Sequence, residues 1–471
     1  MAARLMGRGW LGFAGVLVGL VAPAGGARAA ERRVERDIAP GVHLTQILRE
    51  GVALPLVATA LTIDPKTPGL RLETPLASGH VSDQTALKGR ATVSALAVRE
   101  NALVAVNGDF FPFTGDPLGL LIHKGELISE PNPLRSVVGF ARGEAPVFGI
   151  LSLQATVTVE APDGTTQSTP LSGLNRARGT NELILYTPVF GATTATNRLG
   201  TEAVLEGLPL PLSCGRFAGQ VRNILAGGGT ALAPGQVVLS GHGTAGEWLR
   251  RNVAAGNRVT VELRLVPSAA TTTSADAWCA LREVVGGGPF LLRKGAVAVD
   301  WVAQKMQPDI TAKRAPRTAV GVTREGKIVL VAIDGRQPFS AGTTLDETAR
   351  LMQQLGAVDA MNLDGGGSTA MALLGVIVNS PSGGAERPVA DGVTLVADQL
   401  PSVPDPGELE ASPLTATVAA GSVVALRLRS PGTPNATDAP ANAADPSAAA
   451  SPVGGLNPVG LVWSCQGPGF V

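Results

Sequence analysis

Chemistry concentrates in Ala360-Met-Asn-Leu-Asp-Gly-Gly-Gly-Ser-Thr-Ala-Met371, where the apolar run 358–363 breaks off at Asp364 and three glycines. Successive glycines surrender backbone entropy, so a chain keeps them where Cβ atoms would clash, in a tight turn or beside a ligand. Asn362, Asp364, Ser368 and Thr369 surround Gly365, Gly366 and Gly367 with polar groups where apolar packing should continue. A simple glycine hairpin needs less polar density than this. Other apolar runs end in the same way. Residues 103–106 run into Asn107-Gly-Asp109, Arg317 and Thr318 follow Pro316, 328–333 run into Asp334-Gly-Arg336, and Arg387 shares a loop with Asp391. Asp364, Asp334 and Asp109 can serve as acid, base or nucleophile, or hold a cation. Arg317, Arg336 and Arg387 can grip a phosphate or carboxylate with two parallel donors. Plainer roles stay open: Arg317 in a structural ion pair, Asp109 and Asp334 as turn caps. His43, His80, His123 and His242 lack paired zinc-ligand spacing. Ser368 sits in no nucleophile elbow, because position 370 is Ala.

The elements that must carry these groups are mostly short strands. Residues 41–47 alternate, 57–63 form a buried-type run, and 83–100 are expected as a helix with an imperfect face of Leu87, Ala91, Ser94, Leu96 and Val98. A hairpin is expected at 118–128, turning at His123-Lys-Gly-Glu126, and 286–295 repeat its layout, a hint of internal duplication. Between them, 136–266 read as short strands with no strong helix. Strands at 318–322 and 328–333 precede a helix opened by a Thr344/Glu347 capping box and stopped by Gly356, with Leu345, Ala349, Met352 and Leu355 on one face. A hairpin at 369–378 turns at Gly375, and a strand at 393–396 closes the domain. With 59 Gly and 35 Pro, the chain is expected to be α+β: a strand-rich mixed-sheet domain with few helices over 30–400. Residues 401–471 read as a linker, two strands within 414–428, a disordered Pro/Ala-rich segment, and a truncated immunoglobulin-like β module.

Lys+Arg and Asp+Glu both number 38, which gives no basic excess for a nucleic acid. Residues 1–29 read as an export signal: Arg4 and Arg8, an apolar core at 10–21, then Ala27-Arg-Ala29. The apolar core is too short for a stable membrane span. A secreted or periplasmic protein is expected. Such a compartment permits a Cys214–Cys279 bridge, and inert buried thiols are the other reading of those residues.

Asn107-Gly-Asp-Phe-Phe111, Pro316-Arg-Thr-Ala-Val-Gly321, Asp334-Gly-Arg336, Asn362-Leu-Asp-Gly-Gly-Gly-Ser-Thr369 and Asn379-Ser-Pro-Ser382 together resemble one family, the phosphodiester glycosidases. The likeness spans about 60 to 397 and is densest over 316–396. It implies hydrolysis of a sugar 1-phosphodiester, of N-acetylglucosamine-1-phosphodiester type, at the glycosidic C–O bond of a phosphorylated envelope or exopolysaccharide glycan. Asp364, Asp334 and Arg317 are then the catalytic candidates. Asn107, Asp109, Thr318, Arg336, Asn362, Gly365, Gly366, Gly367, Ser368 and Arg387 are the substrate-binding candidates, with the glycine amides as an anion nest. No cofactor is required, although Asp364 or Asp334 leaves room for calcium or magnesium. Two other classes use the same residues: a non-catalytic binder of phosphorylated glycans, and a metal-assisted phosphodiesterase.

Overall fold

The computed structural model describes residues 30–83, 85–112, 114–399, 410–412 and 427–429. The expected export signal, linker, disordered segment and immunoglobulin-like module lie outside these residues, apart from an antiparallel pairing of Glu410–Ser412 with Arg427–Arg429.

Two sheets carry the strand ends of the site, over a core to which a third sheet also contributes. The larger is antiparallel throughout and runs Ala30–Ala39, Val42–Glu50, Leu56–Ile63, Ile328–Ile333, Arg317–Thr323, Ala357–Asn362, Phe290–Arg293, Ala296–Val297. Its central strand Ile328–Ile333 is apolar at every position because both faces are covered. Val329, Val331 and Ile333 pack with Leu345, Ala349 and Met352 of the helix Leu345–Gln354. Ile328, Leu330 and Ala332 join Val104, Val106, Met371 and Val393 of the second sheet. A two-residue period sends alternate side chains to opposite faces. The second sheet runs Val376–Ile377, Met371–Leu373, Val104–Asn107, Gly392–Ala397, Leu70–Glu73. Its Ala105 and Ala372 pack with Val93 and Ala97 of the helix Val93–Arg99. Each Leu, Ile or Val buried in these layers contributes about 1.5–3 kcal/mol, so the strand ends inherit a rigid base.

A third sheet takes up the middle of the chain, from Leu121–His123 to Glu283–Gly286, and includes the 14-residue strand Val147–Glu160. It closes over its own core, which holds Trp278, Leu205 and Leu263. Cys214 and Cys279 form a disulfide with a Cα–Cα distance of 5.4 Å, so of the two readings the bridge is the one found.

The helix expected at 83–100 is confined to Val93–Arg99 and capped by the Thr92 side chain. Lys88 (φ 51°) and Gly89 (φ 81°) stand in the left-handed region just upstream, and no right-handed helix continues through them. Within 136–266, a helix Thr244–Asn252 interrupts the expected strands. Only Gly246 and Leu249 of it are buried, which leaves too thin an apolar stripe to show in the sequence. The capping box of Thr344 and Glu347 forms with both of its reciprocal hydrogen bonds. The two hairpins of similar layout turn at Lys124-Gly125 (φ 51°, 85°) and Lys294-Gly295 (φ 50°, 82°), and a third turns at Leu374-Gly375 (φ 48°, 82°). Positive φ at both central residues is the demand of a two-residue type I′ turn, so the likeness lies in the turn.

Candidate active site

Strand ends from the two main sheets are tied together by one side chain. Asn107 ends its strand in the second sheet, and its Oδ1 accepts from Thr318 Oγ1 (2.7 Å) in the first sheet and from the amide of Ala370 (3.2 Å). Its Nδ2 donates to the carbonyl of Asp364 (2.7 Å), while the Asp364 amide donates to Gly108 (2.9 Å). Asn107 and Thr318 are fully buried, and their polar groups are spent on fixing the loop that starts at Asp364. Asn362, also buried, donates to the carbonyls of Gly288 (2.9 Å) and Leu363 (2.5 Å), and its Oδ1 has no partner.

The triple glycine is demanded by three different neighbours. A Cβ on Gly365 would stand 2.9 Å from the carbonyl oxygen of Pro316. Gly366 adopts φ 61°, and a Cβ there would lie 3.1 Å from Arg336 Nη2. At Gly367 a Cβ would run into the Arg387 guanidinium. The loop therefore stays bare so that two exposed guanidiniums can lie against it. The expected amide nest is only partly formed. The Gly365 amide donates to Asp364 Oδ1 (2.8 Å) and the Gly366 amide to Pro316 (2.9 Å), so neither is left for an anion. The positive groups at this turn are the two arginines. Arg387 Nη1 also reaches the buried Ser368 Oγ at 3.4 Å.

Arg317 is built differently. It is 1% exposed, and its three guanidinium nitrogens donate to the carbonyls of Thr343 (3.1 Å), Ile310 (2.8 Å) and Lys313 (2.7 Å). Burial, helped by the nearby positive charge of Arg336, lowers its pKa to about 10. This arginine braces the segment leading into its strand.

Four carboxyl groups sit in or under the rim. Asp334, 3% exposed, accepts from Asn379 Nδ2 (3.0 Å) and the Ser380 amide (2.9 Å), and burial raises its pKa to about 6. Asp364 is half-buried and likewise raised by burial to about 6, against the opposing pull of its Ser368 and Gly365 hydrogen bonds and of the Arg387 and Arg135 charges. Asp109 is raised to about 7, chiefly by burial. Its amide donates to Asp391 Oδ1 (2.7 Å), and burial beside Asp109 pushes Asp391 well above the usual carboxylate range. The Oδ2 atoms of Asp109 and Asp391 are buried without partners. Asp109 fits because Gly119 and Gly286 are bare; a Cβ on Gly119 would come within 2.6 Å of its Oδ2.

Three contributors went unassigned in the sequence. Asn379, noted only as part of a motif, orients Asp334 and accepts from the Met371 amide (2.7 Å). Asp391 supports the backbone of Asp109 from the opposite end of the motif set. Arg135 lies over the Phe110 ring (5.3 Å), within electrostatic range of Asp109 and Asp364, in a segment with no local signal. Phe110 itself is buried, as a core residue would be. Among the described residues, the group of acidic and histidine side chains close enough to hold an ion is Glu73, Glu100 and His123, with ligand atoms within 4.8 Å of one another. Lys124 Nζ already stands 3.5 Å from Glu73 and 3.8 Å from Glu100.

Residues 217–396 match the family model for phosphodiester glycosidases. That stretch therefore resembles a phosphodiester glycosidase domain, the family to which the motif set pointed. Among individual relatives, it is 34% identical over 110 residues to N-acetylglucosamine-1-phosphodiester alpha-N-acetylglucosaminidase of Mus musculus, covering 21% of this chain and 21% of that protein. It is 38% identical over 87 residues to the SPbeta prophage-derived uncharacterized protein YomE of Bacillus subtilis, covering 18% of this chain and 13% of that protein. The matches thus span about a fifth or less of these curated relatives. The solved structure of a protein from Burkholderia pseudomallei superposes with a TM-score of 0.62 at 22% identity, covering 82% of this chain and 100% of that one. That likeness is one of fold.

Proposed function

We propose that this chain is an exported hydrolase that cleaves a sugar 1-phosphodiester, of N-acetylglucosamine-1-phosphodiester type, between the anomeric carbon and the phosphate oxygen. Its substrate class is a phosphorylated envelope or exopolysaccharide glycan. The observation that carries the reading is the placement of Arg336 and Arg387 against Gly366 and Gly367, two and three residues beyond Asp364. A phosphodiester carries one negative charge and leaves as a monoester that carries more. Two guanidiniums lying against the turn favour the departing state over the bound one, which is the requirement for rate acceleration. Phosphate leaves well, so strong acid assistance matters less than in ordinary glycoside hydrolysis. Asp364, with a pKa of about 6, is mostly ionised at neutral pH and stabilises the oxocarbenium-like carbon or takes the proton of attacking water. Asp334, fixed by Asn379 and Ser380, is the second carboxylate. Asn107, Thr318 and Asn362 act by holding the loop, and Arg317 by bracing the strand that leads to it. The positive charge in this scheme comes from arginine, and neither calcium nor magnesium enters it.

The match of residues 217–396 to the family model supports the choice of bond. The disulfide supports export, since such bridges persist in oxidising compartments. Among the described residues no helix is long and apolar enough to cross a membrane. A pure binder of anionic glycans is disfavoured by the carboxyl groups at the rim, which weaken anion binding unless they take part in chemistry. Turnover of an alpha-N-acetylglucosamine 1-phosphodiester in oxygen-18 water tests the reading. Label on the sugar is the expected result. Label on the phosphate would make the protein a phosphodiesterase, and no turnover across a panel of sugar phosphodiesters would leave the binding role.

A further inference from the structure

Two buried polar atoms of opposite kind remain unsatisfied beside the phosphate-gripping loop. Asp109 Oδ2 is an acceptor without a donor, and Arg135 Nη1 is a donor without an acceptor. Their charges attract each other, yet no hydrogen bond joins them. Leaving either group buried and unpaired costs about 1–3 kcal/mol, more for charged groups. Both are held in place. Asp109 Oδ1 accepts from the Phe110 amide (2.7 Å), its Oδ2 lies in the space left by the missing Cβ atoms of Gly119 and Gly286, and the Phe110 ring covers the Arg135 guanidinium. A collapsed ion pair would have satisfied both atoms, and the fold keeps them apart.

We infer that Asp109 and Arg135 form the sugar subsite and read a hydroxyl of the glycosyl group. A hydroxyl donates one hydrogen bond and accepts others, so sugar hydroxyls can donate to Asp109 Oδ2 and accept from Arg135 Nη1. An ionised Asp109 repels a phosphate oxygen, which has no proton to give it. The site is thereby divided. Arg336 and Arg387 at the glycine turn take the phosphate, and Asp109 with Arg135 takes the sugar. Both groups are specificity-determining residues. This rests on the function proposed above, and the two fail separately in the following test.

Binding of free sugars (N-acetylglucosamine, glucose, mannose, galactose) and of inorganic phosphate is titrated by NMR on the intact protein and on Arg135→Lys and Arg387→Gln. Lysine keeps the positive charge but not the planar fork. Arg135→Lys should weaken binding of the recognised sugar by about 10- to 100-fold, the range for a hydrogen bond to a charged group, and leave phosphate binding unchanged. Arg387→Gln should do the reverse. Asp109→Asn, which can still accept from the Phe110 amide, serves as a second variant and should repeat the sugar defect. Sugar affinity unchanged in Arg135→Lys and Asp109→Asn, phosphate affinity lost instead, or no sugar bound by the wild type would each overturn the assignment. The expected split in a protein that hydrolyses no sugar phosphodiester would support this subsite while removing the catalytic reading.

Discussion

The side-chain amide of Asn107 donates to the main-chain carbonyl of Asp364 at 2.7 Å across 257 positions of sequence, and its Oδ1 accepts from Thr318 of the neighbouring sheet. One buried residue thus sets the height of the Asp364 loop relative to both sheets. Asn107→Ala should leave the Thr318 hydroxyl and the Ala370 amide without their partner, at about 1–3 kcal/mol for each group. A lower Tm is expected together with a fall in kcat larger than any change in KM, because the loop and not the phosphate grip is displaced. Thermal unfolding and steady-state kinetics on one preparation measure both.

Asp364→Asn should keep the fold and lower kcat by at least about 100-fold, the scale of losing one preorganised electrostatic group. In the proposed mechanism the reaction needs the ionised carboxylate, whose pKa is about 6. The rate should therefore decline as pH falls through about 6. A flat profile from pH 5 to pH 8 would exclude Asp364 as the base or charge stabiliser.

The buried carboxyl groups also predict an unusual stability profile. The Asp109 pKa rises from 3.8 to about 7 on folding, so the native state binds the proton more tightly than the unfolded chain does. That contribution is fully present below about pH 4 and is lost as pH rises through about 7, the opposite of an ion-paired aspartate. Asp391 acts in the same direction. Asp109→Asn should accordingly raise Tm at pH 8, with little effect at pH 4. Calorimetry at the two pH values decides this, and an unchanged or lower Tm at pH 8 would count against the buried, uncompensated charge.

Gly367→Ala places a Cβ against the Arg387 guanidinium. The side chain has room to swing outward because it is exposed. The variant should fold normally and lose at least about tenfold in kcat/KM, since one guanidinium is displaced from the proposed phosphate position. Arg387→Gln should give a comparable loss. Combining the two substitutions should add little if they remove the same contact.

Arg317→Ala tests a brace against a catalyst. It strips donors from the carbonyls of Thr343, Ile310 and Lys313, and unfolding should come several degrees earlier. An unchanged Tm with abolished turnover would return Arg317 to the catalytic list.

Local chemistry in the sequence was enough to locate much of this protein. The polar strand ends at Asn107, Asp334 and Asn362, the helix opened by Thr344 and Glu347, and the triple glycine after Asp364 are each written in residues adjacent along the chain. Strand periodicity, caps and turns depend on neighbours within a few positions, and such signals survive without the fold. Tertiary structure decided what those groups face. Two of the expected nest amides are used within the loop and by Pro316, and the guanidinium of Arg317 is spent on three carbonyls. The helix at 83–100 was cut short by the left-handed pair Lys88-Gly89. Arg135, Asp391 and Asn379 gain their roles from partners more than twenty positions away, through burial and hydrogen bonding that no local pattern encodes. The sequence placed the charges at the strand ends, and only the packing of two sheets determined which were left facing the site.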